Sequence, residues 1–132
     1  MLLAGELGAG KTELSKGIAA GLGIEETVVS PTFTIVRQYS GTLPMLHIDV
    51  YRLDHAQELL DLGLEDLAAD EAVTVVEWGD AVEGFLPADH LLIQIELSAA
   101  DQDRVMRFTV AGPSWSARAA AVAALSSSRV EP

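Results

Sequence analysis

Apolar residues in this chain fall into short runs and helically spaced sets, and each pattern predicts a different element. The opening stub "MLLA" has the pattern of the end of a buried strand. In "KTELSKGIAAGLG" the residues Leu14, Ile18 and Leu22 recur at helical spacing, and the glycine after Leu22 is a natural stop. Two strands are predicted next, one after Pro31 in "VVSPTFTIVRQY" and one in "LPMLHIDVYRL" that ends near Asp49.

The second half of the chain contains further strand patterns and two helix patterns. "AQELLDLGLEDLAAD" predicts a helix interrupted around Gly63. The continuous apolar run in "AVTVVEW", which closes on Glu77, is typical of a strand buried on both faces. "HLLIQIEL" and "RVMRFTVAG", joined by the polar "SAADQD", predict an antiparallel hairpin. "SWSARAAAVAAL" predicts a closing helix with Ser114 as its N-cap.

A glycine-rich loop connects the first predicted strand to the first predicted helix. Residues 5–12, "GELGAGKT", match the phosphate-binding pattern G-x-x-x-x-G-K-[ST] in full. The glycines let backbone N–H groups point at phosphate oxygens, and the following helix adds the positive end of its dipole. Lys11 can reach the β- and γ-phosphates, and the Thr12 hydroxyl can complete a Mg²⁺ shell. The predicted nucleotide-binding residues are Gly5, Glu6, Leu7, Gly8, Ala9, Gly10, Lys11, Thr12 and Glu13.

Two acidic residues at the ends of apolar runs are candidates for metal binding and catalysis. Asp49 and Glu77 would project over the sheet edge that carries the loop, where one holds Mg²⁺ through water and the other orients an attacking water. The alternative for Asp49 is a strand-end residue that caps a loop. Thr32 in "SPTFT" either brings its hydroxyl to the γ-phosphate or its metal, or simply begins a strand. Trp78 either covers the nucleotide or belongs to the core.

Composition narrows the possible functions. Twenty acidic and eight basic residues give a net charge of −12, and the scattered bases disfavour independent RNA or DNA binding. The chain has no cysteine, so disulfides and thiolate metal sites are excluded, and a reducing cytoplasm fits. We see neither a signal-peptide pattern nor an apolar stretch of the ~20 residues that span a bilayer. His47, His55 and His90 lack metal-ligand spacing and are interpreted as structural or solvated.

Together the patterns predict one α/β domain over residues 1–126 and a disordered tail over 127–132. The domain is expected to be P-loop NTPase-like, a mixed β-sheet with helices on its faces in three layers. Only Met1 to Ala4 precede Gly5, fewer than the ~5–6 residues of an ordinary strand. We therefore expect an N-terminally shortened chain in which Met1 lies inside a strand whose end is frayed.

Several segments resemble one known family when they are taken in order. "GELGAGKTEL", "SPTFTIV", "HIDVYRL", "LGLEDL" and "VVEWGD" resemble the TsaE (YjeE) family, small bacterial ATPases of the machinery that makes threonylcarbamoyladenosine in tRNA. The resemblance runs from Gly5 to about Asp80 and extends more loosely to about Val110. The phosphate loop is generic, whereas "SPTFT" followed by "DVYRL" and then "EW" is specific to the family.

The resemblance implies a role for each matching residue. Lys11 and Thr12 would contact the phosphates and Mg²⁺, and Asp49 would lie near the metal. Thr32 would belong to a switch-like segment. Glu77 and Trp78, the "EW" pair, would be needed for hydrolysis and lie beside the nucleotide.

The resemblance also implies ligands and partners. ATP or ADP with Mg²⁺ would occupy the site, and the ATPase cycle would reset the TsaD–TsaB pair between turnovers, with tRNA contacted only indirectly. Glu13 stands where the family often has a second Thr or Ser, and its carboxylate either repels the phosphates or points away from them.

Two other functions use the same loop. A small-molecule kinase would close an arginine-bearing lid over the phosphates, but no stretch offers two or more arginines in a lid-like insertion. A nucleotide-sensing interaction module would bind ATP or ADP with negligible turnover. Since no arginine is obviously placed to stabilise charge in cis, we expect slow hydrolysis that partners stimulate.

Overall fold

The structure is a computed structural model that describes residues 1–6, 8–29, 36–49, 72–77, 88–98 and 103–126. Its elements in chain order are β1 (Leu2–Gly5), α1 (Lys11–Gly21), β2 (Val36–Tyr39), β3 (Met45–Asp49), β4 (Val73–Glu77), β5 (His90–Leu97), β6 (Arg104–Ala111), α2 (Pro113–Ser116) and α3 (Ala119–Ser126). The predicted helix around Gly63, the strand start after Pro31 and the tail over 127–132 lie outside the described residues.

The described strands form one six-stranded sheet in the order β2-β3-β4-β1-β5-β6. The four central strands are parallel, while β2 and β6 pair antiparallel at the two edges. The predicted mixed α/β sheet and the β5–β6 hairpin are thereby confirmed. Because parallel strands end at a common edge, β1, β3 and β4 bring Gly5, Asp49 and Glu77 to the same side of the sheet.

The core lies on both faces of the central strands. On the face that carries α1, Leu3, Met45 and Val75 are fully buried, and Leu14 and Ile18 of α1 pack against them. The opposite face is buried as well, through Leu46, Ile48, Val76 and Leu92. Burial on both faces explains why these strands appear in the sequence as continuous apolar runs rather than as alternating ones.

Met1 continues the hydrogen-bond ladder of β1. Its carbonyl accepts from the Val76 N–H at 2.9 Å, and its amino group donates to the Thr74 carbonyl at 2.6 Å. Leu2, Leu3 and Ala4 behind it are 3%, 0% and 4% exposed. Met1 therefore directly precedes β1, which begins at Leu2, and its backbone is paired with β4 rather than frayed.

We expect the 132-residue chain to lose stability as the pH falls from about 8 to about 6. Burial lowers the pKa of the Met1 amino group from 8.0 to about 6, so in this interval the unfolded chain binds a proton that the folded chain does not. The free energy of unfolding then decreases with decreasing pH, by on the order of 2–3 kcal/mol over the window. The neutral amine keeps its N–H donors for Thr74, and this part of the stability is complete above pH 8.

Urea unfolding at pH 8.5 and at pH 5.5 measures this effect. The matched control is the Nα-acetylated chain, whose amide retains one N–H donor but does not titrate. A pH dependence that acetylation leaves unchanged would show that Met1 is not its source.

The C-terminal helix differs from the sequence prediction. It is divided into α2 and α3, and Ser114 is inside α2 rather than at its N-cap, so that prediction was wrong. Gly112 occupies the cap with φ +89°, and Pro113 begins the helix because its fixed φ suits the first helical position. The Asp89 carboxylate accepts hydrogen bonds from the N–H groups of Ser114 and Trp115 at 3.3 and 3.2 Å, and these bonds serve in place of a local cap.

Among the described residues, no helix has the length and apolar character to cross a membrane.

Candidate functional site

The glycine-rich loop begins where β1 ends against β5. A Cβ on Gly5 would lie 2.7 Å from the Ile95 carbonyl oxygen, so only glycine fits between the two strands. Gly8 and Gly10 have φ values of +82° and +114°, in the left-handed region that other residues rarely adopt. Gly10 directly precedes α1, so the first N–H groups of the helix face the loop. The described residues of the loop, 5–6 and 8–10, therefore have backbone features that suit an anion.

Lys11 holds its charge inside the loop. Its side chain is 6% exposed, and the Nζ atom donates to the carbonyl oxygens of Gly5 at 2.6 Å and Glu6 at 3.0 Å. A buried ammonium group is stable only with such polar contacts. Its position beside the N-terminus of α1 adds a full positive charge to the helix dipole, and the two together favour an anionic ligand.

Glu77 is the centre of a buried polar cluster. It is 2% exposed, and its Oε1 accepts the Thr12 hydroxyl at 2.9 Å. Its Oε2 lies 2.6 Å from the His47 Nε2 in a second hydrogen bond. Asp49, 8% exposed, lies directly across from Glu77 in the β3–β4 register. The ends of β3 and β4 and the start of α1 thus bring together Thr12, Asp49 and Glu77, three residues that the sequence assigned to one site.

His47 is the cluster residue that sequence reasoning missed. It is fully buried and bonded to Glu77, so it belongs to the site and is not solvated. The available signal was its position two residues before Asp49, because alternate residues of a strand share a face. His90, the first residue of β5, is at the other end of that strand from the loop.

The cluster provides oxygen atoms that suit Mg²⁺ as ligands. A hydroxyl and two carboxylates, from Thr12, Asp49 and Glu77, are oxygen ligands of the kind that hard cations prefer. Two buried carboxylates side by side also favour a cation between or beside them. The described ranges contain no set of three or more His, Cys, Asp or Glu arranged as a metal cage. In proteins Mg²⁺ is typically held by one or two carboxylates together with water and phosphate oxygens.

Glu13 points away from the loop. Its side chain is 77% exposed and pairs with Lys16 at 3.1 Å on the outer face of α1. The structure therefore supports the alternative in which the Glu13 carboxylate points away from the phosphates, and not the one in which it repels them. Leu7, Thr32 and Trp78 lie outside the described residues.

A cavity of about 550 Å³ lies beside the loop. It is lined by Ala4, Gly5, Glu6, Ala9 and the end of β5 over 94–97. The Nε of Arg104 donates to the carbonyl oxygen of Ala9, one of the lining residues, at 3.0 Å. The sequence did not reveal Arg104 as a neighbour of the loop, because this contact joins residues 95 positions apart and depends on the β5–β6 register.

Comparison with known proteins agrees with the motifs and the fold. The family model described as "Threonylcarbamoyl adenosine biosynthesis protein TsaE" matches residues 1–106. The tRNA threonylcarbamoyladenosine biosynthesis protein TsaE of Bacillus subtilis is 46% identical over 113 residues, covering 85% of this chain and 70% of the relative. The protein of the same description from Streptomyces coelicolor is 41% identical over 117 residues, covering 85% of this chain and 78% of the relative.

A solved structure extends the similarity to three dimensions. The crystal structure of Bacillus subtilis YdiB superposes with a TM-score of 0.78 at 36% identity, covering 95% of this chain and 76% of YdiB. Since the family model spans most of the chain and the relatives match beyond the phosphate loop, the chain belongs to the TsaE family of tRNA threonylcarbamoyladenosine biosynthesis proteins.

Proposed function

We propose that this chain binds ATP with Mg²⁺ at the glycine-rich loop and hydrolyses it in support of threonylcarbamoyladenosine synthesis on tRNA. The observation that carries the proposal is the 2.9 Å hydrogen bond between Thr12 and the buried Glu77. It joins the first turn of the phosphate-binding helix to a carboxylate that a binding loop alone would not need. A buried carboxylate is costly, so its presence here points to chemistry as well as binding.

The phosphates would be bound by the loop backbone and Lys11. Gly8 and Gly10 allow the conformation in which N–H groups converge on an anion. The Lys11 ammonium, now bonded to the Gly5 and Glu6 carbonyls, would turn to phosphate oxygens over a short distance. The cavity beside Ala9 leaves room for the rest of the nucleotide.

Thr12 and Asp49 would hold the metal, Thr12 directly and Asp49 through water. Bound Mg²⁺ supplies neutralisation of the phosphate charge. Glu77 would orient the attacking water and accept its proton, and His47 would keep the carboxylate aimed at the site. We assign Thr32 to a switch segment and Trp78 to covering the nucleotide, as the family resemblance implies.

The substrate tRNA would be reached only through partner proteins. A net charge of −12 disfavours direct contact with a polyanion. We propose the TsaD–TsaB pair as the partner, with ATP hydrolysis resetting that complex between rounds of modification. The chain would hydrolyse ATP slowly alone and faster in the complex.

Phosphate release from Mg²⁺-ATP tests this proposal. We expect slow release by the chain alone and at least about tenfold faster release with TsaD–TsaB, because a group supplied in trans can contribute ~10³–10⁵ in related enzymes. No small-molecule phosphate acceptor should be needed. Equal turnover with and without the pair, or turnover that requires an acceptor, would contradict the proposal.

A further inference from the structure

Arg104 is the first residue of β6, and its side chain contacts the phosphate loop. It pairs with Leu97 as the last step of the β5–β6 ladder. Met106 and Phe108 lie on the same face of β6 as Arg104, because every second residue of a strand points to the same side. They pair with Ile95 and Ile93 on the face that carries α1. The guanidinium is therefore on the same side of the sheet as the loop, with its Nε 3.0 Å from the Ala9 carbonyl oxygen.

The hydrogen bond from Arg104 affects the orientation of one peptide unit, the one that joins Ala9 to Gly10. The described part of the chain has no cis peptide bond, so the Ala9 carbonyl and the Gly10 N–H point in opposite directions. Ala9 lies between Gly8 and Gly10, both at positive φ. Glycine gives the backbone many alternative conformations, so this peptide would rotate readily unless something fixes it. A charge-assisted hydrogen bond to the carbonyl is well suited to do so.

We propose that Arg104 is a positioning residue that fixes the Ala9–Gly10 peptide, so that the Gly10 N–H stays directed at the phosphates. This inference rests on the proposed nucleotide site, but Arg104 acts through the loop backbone and not by touching the phosphoryl group. It also makes the β5–β6 hairpin a structural support of the loop. Neither the loop motif nor the strand-end carboxylates show this connection.

The chain provides a matched control. Arg107 is also on β6, but it pairs with Gln94, extends from the opposite face and forms an ion pair with Glu96 at 3.5 Å. Arg104→Gln and Arg107→Gln therefore remove the same charge from the same strand, and only the first loses the Ala9 contact. Arg104→Lys retains the charge and one donor, so it should restore part of the effect.

Hydrogen exchange of the backbone amides over residues 8–11, measured by NMR on the nucleotide-free protein, tests the contact without any activity. We expect about tenfold faster exchange in Arg104→Gln, an intermediate rate in Arg104→Lys and the wild-type rate in Arg107→Gln. Equal melting temperatures would show that the fold is intact. Wild-type exchange rates in Arg104→Gln would overturn the proposal.

Nucleotide titration then separates positioning from direct contact. If Arg104 orients the loop, Arg104→Gln weakens ADP and ATP binding by the same factor, about tenfold. A loss confined to ATP would instead indicate contact with the γ-phosphate and would overturn the positioning role. If the wild-type chain bound neither nucleotide, the proposed function would fail, while the exchange rates would still decide whether Arg104 holds the loop.

Discussion

Lys11→Ala is expected to weaken the binding of both ATP and ADP by about 100-fold or more. The substitution removes a buried ammonium that lies against the loop carbonyls of Gly5 and Glu6, at the N-terminus of α1. Charge-assisted contacts with phosphate oxygens are lost, and a site of low exposure offers little water to replace them. Titration with a fluorescent nucleotide or by calorimetry measures the dissociation constants.

Lys16→Ala is the matched control for this variant. Lys16 is on the same helix and carries the same charge, but its side chain is 46% exposed and pairs with Glu13 outside the loop. We expect nucleotide affinity within about twofold of wild type, because exposed ion pairs contribute little. A similar loss of affinity in the two variants would mean that general charge, and not the position of Lys11, attracts the nucleotide.

Glu77→Gln is expected to retain nucleotide binding and to lower turnover by about 100-fold or more. Glutamine has the size of glutamate and can keep hydrogen bonds to Thr12 and His47, but it cannot accept a proton from water. General-base catalysis contributes ~10²–10⁴ in rate. Binding should remain because the phosphates are held by the loop and Lys11. Phosphate release and nucleotide titration, measured on the same preparation, separate the two effects.

Glu25→Gln provides the corresponding control beyond the C-terminal end of α1. Glu25 is exposed and lies at the end of the helix away from the loop, so turnover should stay close to wild type. Normal hydrolysis in Glu77→Gln would remove Glu77 from the catalytic role. Loss of folding in that variant, seen as a large drop in melting temperature, would show that the buried cluster is structural.

The parts of the site that the sequence predicted are those with local signals. Gly5, Gly10 and Lys11 belong to one contiguous motif, and their spacing alone fixes a loop between a strand and a helix. Asp49 and Glu77 each close an apolar run, and parallel strands bring such ends to a common edge without any knowledge of strand order. The mixed sheet followed from the same runs, and the structure gives it six strands.

The parts that the sequence did not reveal depend on register between distant segments. The His47–Glu77 bond spans 30 positions, and the Arg104–Ala9 bond spans 95. The first requires knowing that β3 and β4 are neighbours and which of their residues lie opposite one another, and the second requires knowing that the start of β6 lies beside the loop. The pattern within one segment does not show which distant segment lies next to it. The prediction of Ser114 as the N-cap was wrong for two reasons. Pro113 suits the first position of the helix, and Asp89, 25 positions earlier in the chain, supplies the acceptor for the helix N–H groups.

The central claim is that ATP hydrolysis at Glu77 supports repeated rounds of tRNA modification, and the number of threonylcarbamoyladenosine residues formed per TsaD–TsaB complex tests it most directly. The measurement follows modified tRNA over time with Mg²⁺-ATP, adding either the wild-type chain or Glu77→Gln. We predict many rounds per complex with the wild-type chain and about one round with Glu77→Gln or with no added chain. Equal numbers of rounds with wild type and Glu77→Gln would contradict the account.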